Sequence, residues 1–258
     1  MNLQLFERYI GIDYSGAKTP ISRLNGLQVF MAITASEPEK IQANTETNWN
    51  WTRKEIAHWC VRQLLKDEPV IIGIDHAFSF PHAYLERYKI QNWDHFLKDL
   101  CQHWPTDKDK IDVESLRHNN KRTGKSDELR LTEKWTTAAQ SVFKLDGQGS
   151  VGKSTHTGIP WLNFIRQEPR LKGRAHFWPF DGFETPKGKS VIAEVYPSLF
   201  RRRFPRIYKS PDEHDAFSIA LWLKQMDSRG VLKQYFDPPL SETERQQGLL
   251  EGWILGVY

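Results

Sequence analysis

The tetrapeptide Ile-Gly-Ile-Asp occurs twice, at 10–13 and at 72–75, each time closing an apolar run. The runs are Arg8-Tyr-Ile-Gly-Ile-Asp-Tyr14 and Pro69-Val-Ile-Ile-Gly-Ile-Asp75. Such near-continuous apolar segments read as strands buried on both faces. Between them, Ile56, Trp59, Cys60, Gln63 and Leu64 keep helical spacing, and Thr52 with Glu55 forms a capping-box pattern, so a helix is predicted over 52–65. A right-handed strand–helix–strand crossover makes the two strands parallel. If they are neighbours, Asp13 and Asp75 sit level at their carboxyl ends, where open α/β sheets place ligand sites. Each glycine, lacking a side chain, lets a helix or ligand approach closely.

The rest of the chain completes a mixed sheet. Strands are expected at 20–24 and 27–34, flanking the hairpin pair Asn25-Gly26, and at 189–195. Tyr196 to Phe204 is expected to turn helical. A strong helix is expected over about 211–228, with Ser210 as cap, Pro211 at its first position and Glu213 completing a capping box. A weaker helix is expected at 241–251. Helices at 82–90, 92–102 and 127–139 surround a polar stretch, 105–126, that carries Arg117, His118, Lys121, Arg122 and Lys125. We read 1–258 as a single domain with a largely helical, polar insertion or lid at 82–160. Antiparallel strands followed by crossovers give an α/β fold with helices on both faces of the sheet.

Bulk properties narrow the function classes. A chain of 258 residues, 39% hydrophobic and 26% charged, can bury a real core and is not a disordered tail. The net charge of +4 permits an anionic partner without requiring one. Ten tryptophans either fill the core or stack on bases or sugars. Cys60 and Cys101 are too few and too far apart for a disulfide scaffold. No stretch is long enough to cross a membrane, and the opening residues lack a signal-peptide pattern, which predicts a cytoplasmic protein.

The acids carry the chemistry. Asp212, Asp215, Ala216, Ile219, Ala220 and Leu223 lie on one helical stripe. Asp215 therefore stands at the edge of a buried face, a full turn into its helix. Two carboxylates about 4 Å apart repel by about 4 kcal/mol at an effective dielectric near 20. If Asp13, Asp75 and Asp215 converge, some are protonated or a cation sits among them. Oxygen-only ligands suit Mg²⁺ or Mn²⁺, and two such ions would support phosphodiester hydrolysis. Glu194, inside an apolar strand, needs a partner: a metal, or a nearby arginine such as Arg201, Arg202 or Arg203. With Arg206 and Lys209 these arginines form a basic segment that suits phosphates beside the acids or, equally, a solvated face. Residues 147–154, Gly-Gln-Gly-Ser-Val-Gly-Lys-Ser, match the Walker A spacing, but Pro160 is expected to break the helix a phosphate loop requires. Lys153 stays a candidate phosphate contact.

Four blocks, Gly-Ile-Asp13-Tyr-Ser-Gly-Ala, Gly-Ile-Asp75-His-Ala-Phe-Ser-Phe-Pro, Ala-Glu194-Val-Tyr-Pro197 and Asp212-Glu-His-Asp215-Ala-Phe-Ser-Ile-Ala, resemble those of domain-of-unknown-function family 429. The likeness spans Gly11 to about Ala220 and the ending Glu251-Gly-Trp-Ile-Leu-Gly. It implies a ribonuclease H-like fold: a five-stranded mixed sheet in the order 3-2-1-4-5, strand 2 antiparallel, serving a metal-dependent nuclease. The last block is also similar to the final motif of Holliday-junction resolvases, which implies Asp13, Asp75, Asp212 and Asp215 as metal ligands. The resolvases usually carry Glu where Asp75 stands, and Glu194 has no counterpart in their set. The expected catalytic residues are Asp13, Asp75, Asp215 and Glu194. The same acids with Asp212 would hold Mg²⁺ or Mn²⁺, Lys153 and Arg201 to Arg203 would meet the substrate, and nucleic acid is the expected partner. The alternatives are a phosphotransferase of the actin and sugar-kinase type, or a non-catalytic nucleic-acid-binding protein.

Overall fold

The two Ile-Gly-Ile-Asp segments form neighbouring parallel strands, β1 (Arg8–Asp13) and β4 (Val70–Asp75), with Gly11 level with Gly73 and Asp13 level with Asp75. The computed structural model that shows this describes residues 4–43, 50–136, 139–147, 150–208 and 210–258. The connecting helix α1 (Arg53–Leu64) starts at the Thr52–Glu55 capping box. β2 (Gln28–Ile33) runs antiparallel to β1, and short β3 (Glu39–Lys40) runs antiparallel to β2. β6 (Ser190–Glu194) lies parallel to β4, and β5 (Ala175–Trp178) lies parallel to β6. Together they make a six-stranded mixed sheet in the order β3-β2-β1-β4-β6-β5.

Two expectations about the sheet are corrected. The sheet has six strands, not five, because Ala175–Trp178 adds a parallel edge. Four residues are too short a run to announce a strand from sequence. Residues 20–24 form no strand, and Asn25-Gly26 is not the hairpin turn. The buried Arg53 guanidinium donates to the carbonyls of Ser15, Ala17 and Lys18 at 3.2, 2.6 and 2.8 Å, which holds the chain after β1 in an irregular path. Asn25 instead sits in a tight turn before β2, its carbonyl accepting from Gln28 Nε2 at 2.7 Å. The hairpin lies one step later, between β2 and β3.

Alternation along the strands sends side chains to two different layers. Ile10, Ile12, Ile72, Ile74 and Ile192 pack into a core with Ile56, Cys60 and Leu64 of α1, Phe96 and Leu97, and Ile159 and Leu162. Tyr9, Ile71, Val191 and Ala193 face the opposite way, onto Ile219, Trp222 and Leu223 of the long helix α7 (Pro211–Ser228). α7 begins as expected, with the Ser210–Glu213 capping box and Pro211 at its first turn. It lies almost on the strands. A Cβ on Gly11 would stand 2.2 Å from the Ala216 carbonyl oxygen and 2.6 Å from the Ala220 nitrogen. A Cβ on Gly73 would stand 2.8 Å from Ile219 Cγ2. Glycine at these two positions is what permits the approach.

The segment 82–160 is partly helical: α2 (His82–Arg87), α3 (Trp93–His103), α4 (Val113–Arg117) and α5 (Leu131–Trp135). The helix expected over 127–139 shrinks to α5, and residues 137–138 lie outside the described residues. The polar stretch 105–126 is tied down rather than loose. Arg122 pairs with Asp99 through two bonds of 2.7 Å, and the Trp104 indole donates to the Arg122 carbonyl at 3.0 Å.

The helix α6 (Val151–Arg166) runs straight through Pro160, contrary to expectation. Proline removes the N–H that would serve the His156 carbonyl. Here the buried Thr106 hydroxyl donates to that carbonyl at 2.8 Å, which offsets the loss. α8 (Leu232–Tyr235) and α9 (Glu242–Glu251) complete the chain, and no helix among the described residues is long and apolar enough to cross a membrane.

Candidate active site

At the carboxyl ends of β1 and β4, Asp13 and Asp75 share the strand face of Gly11 and Gly73, the face that α7 covers. The close seat of α7 brings its first turns over these ends, adding Asp212 and Asp215. All four acids line one cavity of about 840 Å³ together with Ser15, Lys153 and Arg201. Loop residues bound it on one side: a Cβ on Gly16 would lie 2.2 Å from the Lys153 backbone, so the turn after β1 packs directly on the start of α6.

Burial and mutual repulsion act on these acids together. Burial chiefly, then Asp75, Asp212 and Asp215, holds the Asp13 carboxyl well above the usual carboxylate range. Asp75 is pushed up to about 8 by burial, then by Asp215 and Glu194; Arg201 and a hydrogen bond with Asp13 work against the rise. Asp212 is raised by burial and by Glu213, and Asp215 by burial despite Arg201. At neutral pH the site cannot carry all four negative charges without a compensating cation or bound protons.

Arg201 is the one cation among the described residues bonded to this group in the structure. It stands on the 3₁₀ turn Arg201–Arg203 and pairs through Nη1 with Asp215 Oδ2. Asp215 Oδ1 is buried and has no hydrogen-bond partner. Sequence reasoning placed Arg201, Arg202 and Arg203 alike near the acids. Only Arg201 lines the cavity; Arg202 and Arg203 are exposed beside it, and Lys209 lies outside the described residues. Lys153 does reach the rim, where its Nζ pairs with Glu114 at 2.6 Å. Within the Walker-like segment, residues 148–149 lie outside the described residues. A helix does carry Lys153, starting at Val151, but Ser141 to Gly147 is not the strand a phosphate loop needs.

Glu194 lines this cavity too, but from the other strand face and already paired. It is level with Ile74, not Asp75, and so points to the opposite face of the sheet. There Arg130 grips it with two bonds, 2.7 Å from Nη1 and 2.6 Å from Nη2, and the Phe78 amide donates at 3.2 Å. The partner in the structure is thus an arginine, but Arg130 in place of Arg201 to Arg203. Arg130 also donates to Glu133 at 2.8 Å, and Glu251 accepts from the Leu131 amide at 2.6 Å and from the His82 amide. Burial opposes charge on Arg130, but Glu194 and Glu133 outweigh it and hold the guanidinium protonated. Burial also pushes the Glu194 carboxyl up against the pull of Arg130; the bidentate geometry is that of an ion pair, and we take it as ionised. Arg130 is not legible as this partner because it lies 64 positions from Glu194, in a segment expected to be an insertion or lid. The one sequence signal was the Arg130–Glu133 pair at capping spacing.

The chemistry of the remaining donors suits a hard cation: Asp13, Asp75, Asp212 and Asp215 offer carboxylate oxygens only, and one buried oxygen of Asp215 is unpartnered. They are not drawn into a finished coordination shell, for no group of three or more His, Cys, Asp or Glu side chains among the described residues stands ready to hold an ion. No family model, no curated protein and no solved structure matches the chain.

Proposed function

We propose that the protein is a divalent-metal-dependent nuclease of ribonuclease H-like fold, related to domain-of-unknown-function family 429. The observation that carries the reading is the level pair Asp13 and Asp75 at the ends of parallel β1 and β4, with Asp215 of α7 beside them in one cavity. The order β3-β2-β1-β4 with an antiparallel second strand supports the fold assignment. Asp13, Asp75 and Asp215, with Asp212 at the edge, would hold Mg²⁺ or Mn²⁺, which when bound activates water and stabilises charge on a phosphodiester.

The chain's own residues have separable tasks in this reading. Asp75, titrating near 8, holds a proton at neutral pH until a cation takes its place. Arg201 and Lys153 line the cavity wall and offer positive charge to a phosphate. Glu194 has no ligand role, since Arg130 already satisfies it; the pair seats β6 against the insertion.

Hydrolysis of a labelled oligonucleotide in the presence of Mn²⁺ and of EDTA tests the reading. Cleavage that requires the ion and disappears in Asp13→Asn is the expected result. Cleavage unchanged by EDTA, or ion binding without any cleavage of single-stranded or duplex substrates, overturns it.

A further inference from the structure

We propose that Arg201 is a built-in competitor for the metal, occupying Asp215 and yielding it, when a divalent ion arrives, to face the substrate instead. This inference rests on the metal-site reading above and adds the control of its occupancy. Several independent features lead to it. Arg201 bonds Asp215 through Oδ2 alone, and Oδ1 is left buried without any partner. A carboxylate with one oxygen bonded and the other buried and bare is incompletely satisfied, and a cation reaching Oδ1 would meet the guanidinium at close range. Two positive charges that close repel, so the guanidinium and the ion compete for the one carboxylate.

Arg201 is also free to leave. Its side chain is 39% exposed, against 12% for Asp215. It stands on a 3₁₀ turn outside any long helix, and it lines the same cavity as Asp13 and Asp75. Departure moves its charge into cavity water rather than stranding it in the core. The buried Arg130 pair offers a contrast: that guanidinium also lines the cavity but is 1% exposed and held by two carboxylates at once. The two arginines therefore divide the work: Arg130 is a fixed neutraliser and Arg201 an exchangeable one.

The exchange means that removing Arg201 has opposite effects on two measurements. Mn²⁺ titration of the full-length protein by calorimetry, without substrate, reads the first. Arg201→Gln should bind Mn²⁺ about five- to fifty-fold more tightly than wild type, the range of ordinary coupling between competing sites. Arg201→Lys keeps the charge and should stay near wild type, which separates competition from mere loss of packing. At saturating Mn²⁺, Arg201→Gln should raise KM for an oligonucleotide because the displaced guanidinium no longer meets its phosphates. Equal or weaker Mn²⁺ binding by Arg201→Gln overturns the competition. An unchanged KM overturns the substrate role. Failure of every variant and of wild type to bind Mn²⁺ overturns the metal reading itself and this inference with it.

Discussion

Replacing Asp75 by Asn removes one of the acids whose ionisation the fold opposes. Its carboxyl titrates near 8 in the folded protein, against about 3.9 in an unfolded chain. An acid raised on folding costs no stability below its unfolded value. The cost grows as pH climbs towards the folded value, because the unfolded chain releases the proton first. Linkage with these two values gives a cost of about 2 kcal/mol at pH 5 and about 5 kcal/mol at pH 8. The carboxyl faces the cavity, where water screens its charge, so both figures are ceilings. In EDTA, urea unfolding should therefore show Asp75→Asn more stable than wild type at pH 8, with the advantage reduced to less than half at pH 5. An advantage that does not change with pH, or a variant less stable at pH 8, would refute the claim that crowded acids set the energetics of this site.

Other perturbations probe the framework that gathers the acids. Gly11→Ala puts a methyl group against the backbone of α7 and should cost about 1–3 kcal/mol in urea unfolding, while weakening the Mn²⁺-induced rise in melting temperature, because α7 carries Asp215 away from Asp13. Arg130→Met leaves Glu194 and Glu133 buried without their counter-charge and should cost about 3–5 kcal/mol by the same assay, the penalty falling as pH drops and the acids protonate. Thr106→Val strips the His156 carbonyl of its substitute donor at Pro160 and should cost about 1–3 kcal/mol, with little effect on Mn²⁺ binding.

The sequence made the central strands legible because repetition and apolar continuity reflect burial on both faces, which β1 and β4 have. α7 was legible at its start because Ser210, Pro211 and Glu213 act locally, through backbone groups within one turn. What failed were features decided at long range. Asn25-Gly26 has the chemistry of a hairpin, but Arg53, far along the chain, claims the carbonyls before it. Pro160 reads as a helix breaker until Thr106 is seen against the His156 carbonyl. Glu194 does line the cavity with the aspartates, but strand parity, which sets its partner, is not legible from its position alone. A shift of one residue sends it to Arg130 on the other face. Among the site residues, Asp13, Asp75, Glu194, Asp212 and Asp215 converge on one cavity, whereas nothing local tells Arg201 from Arg202 and Arg203.

Crystals soaked in Mn²⁺, with the ion located by its anomalous scattering, put the whole account to its most direct trial. The account predicts a peak between β1, β4 and α7, with oxygens of Asp13, Asp75 and Asp215 at about 2.0–2.4 Å and the Arg201 side chain turned away from Asp215. A soaked crystal with Arg201 still seated on Asp215 and manganese absent from that cavity, or bound only elsewhere on the surface, would contradict it.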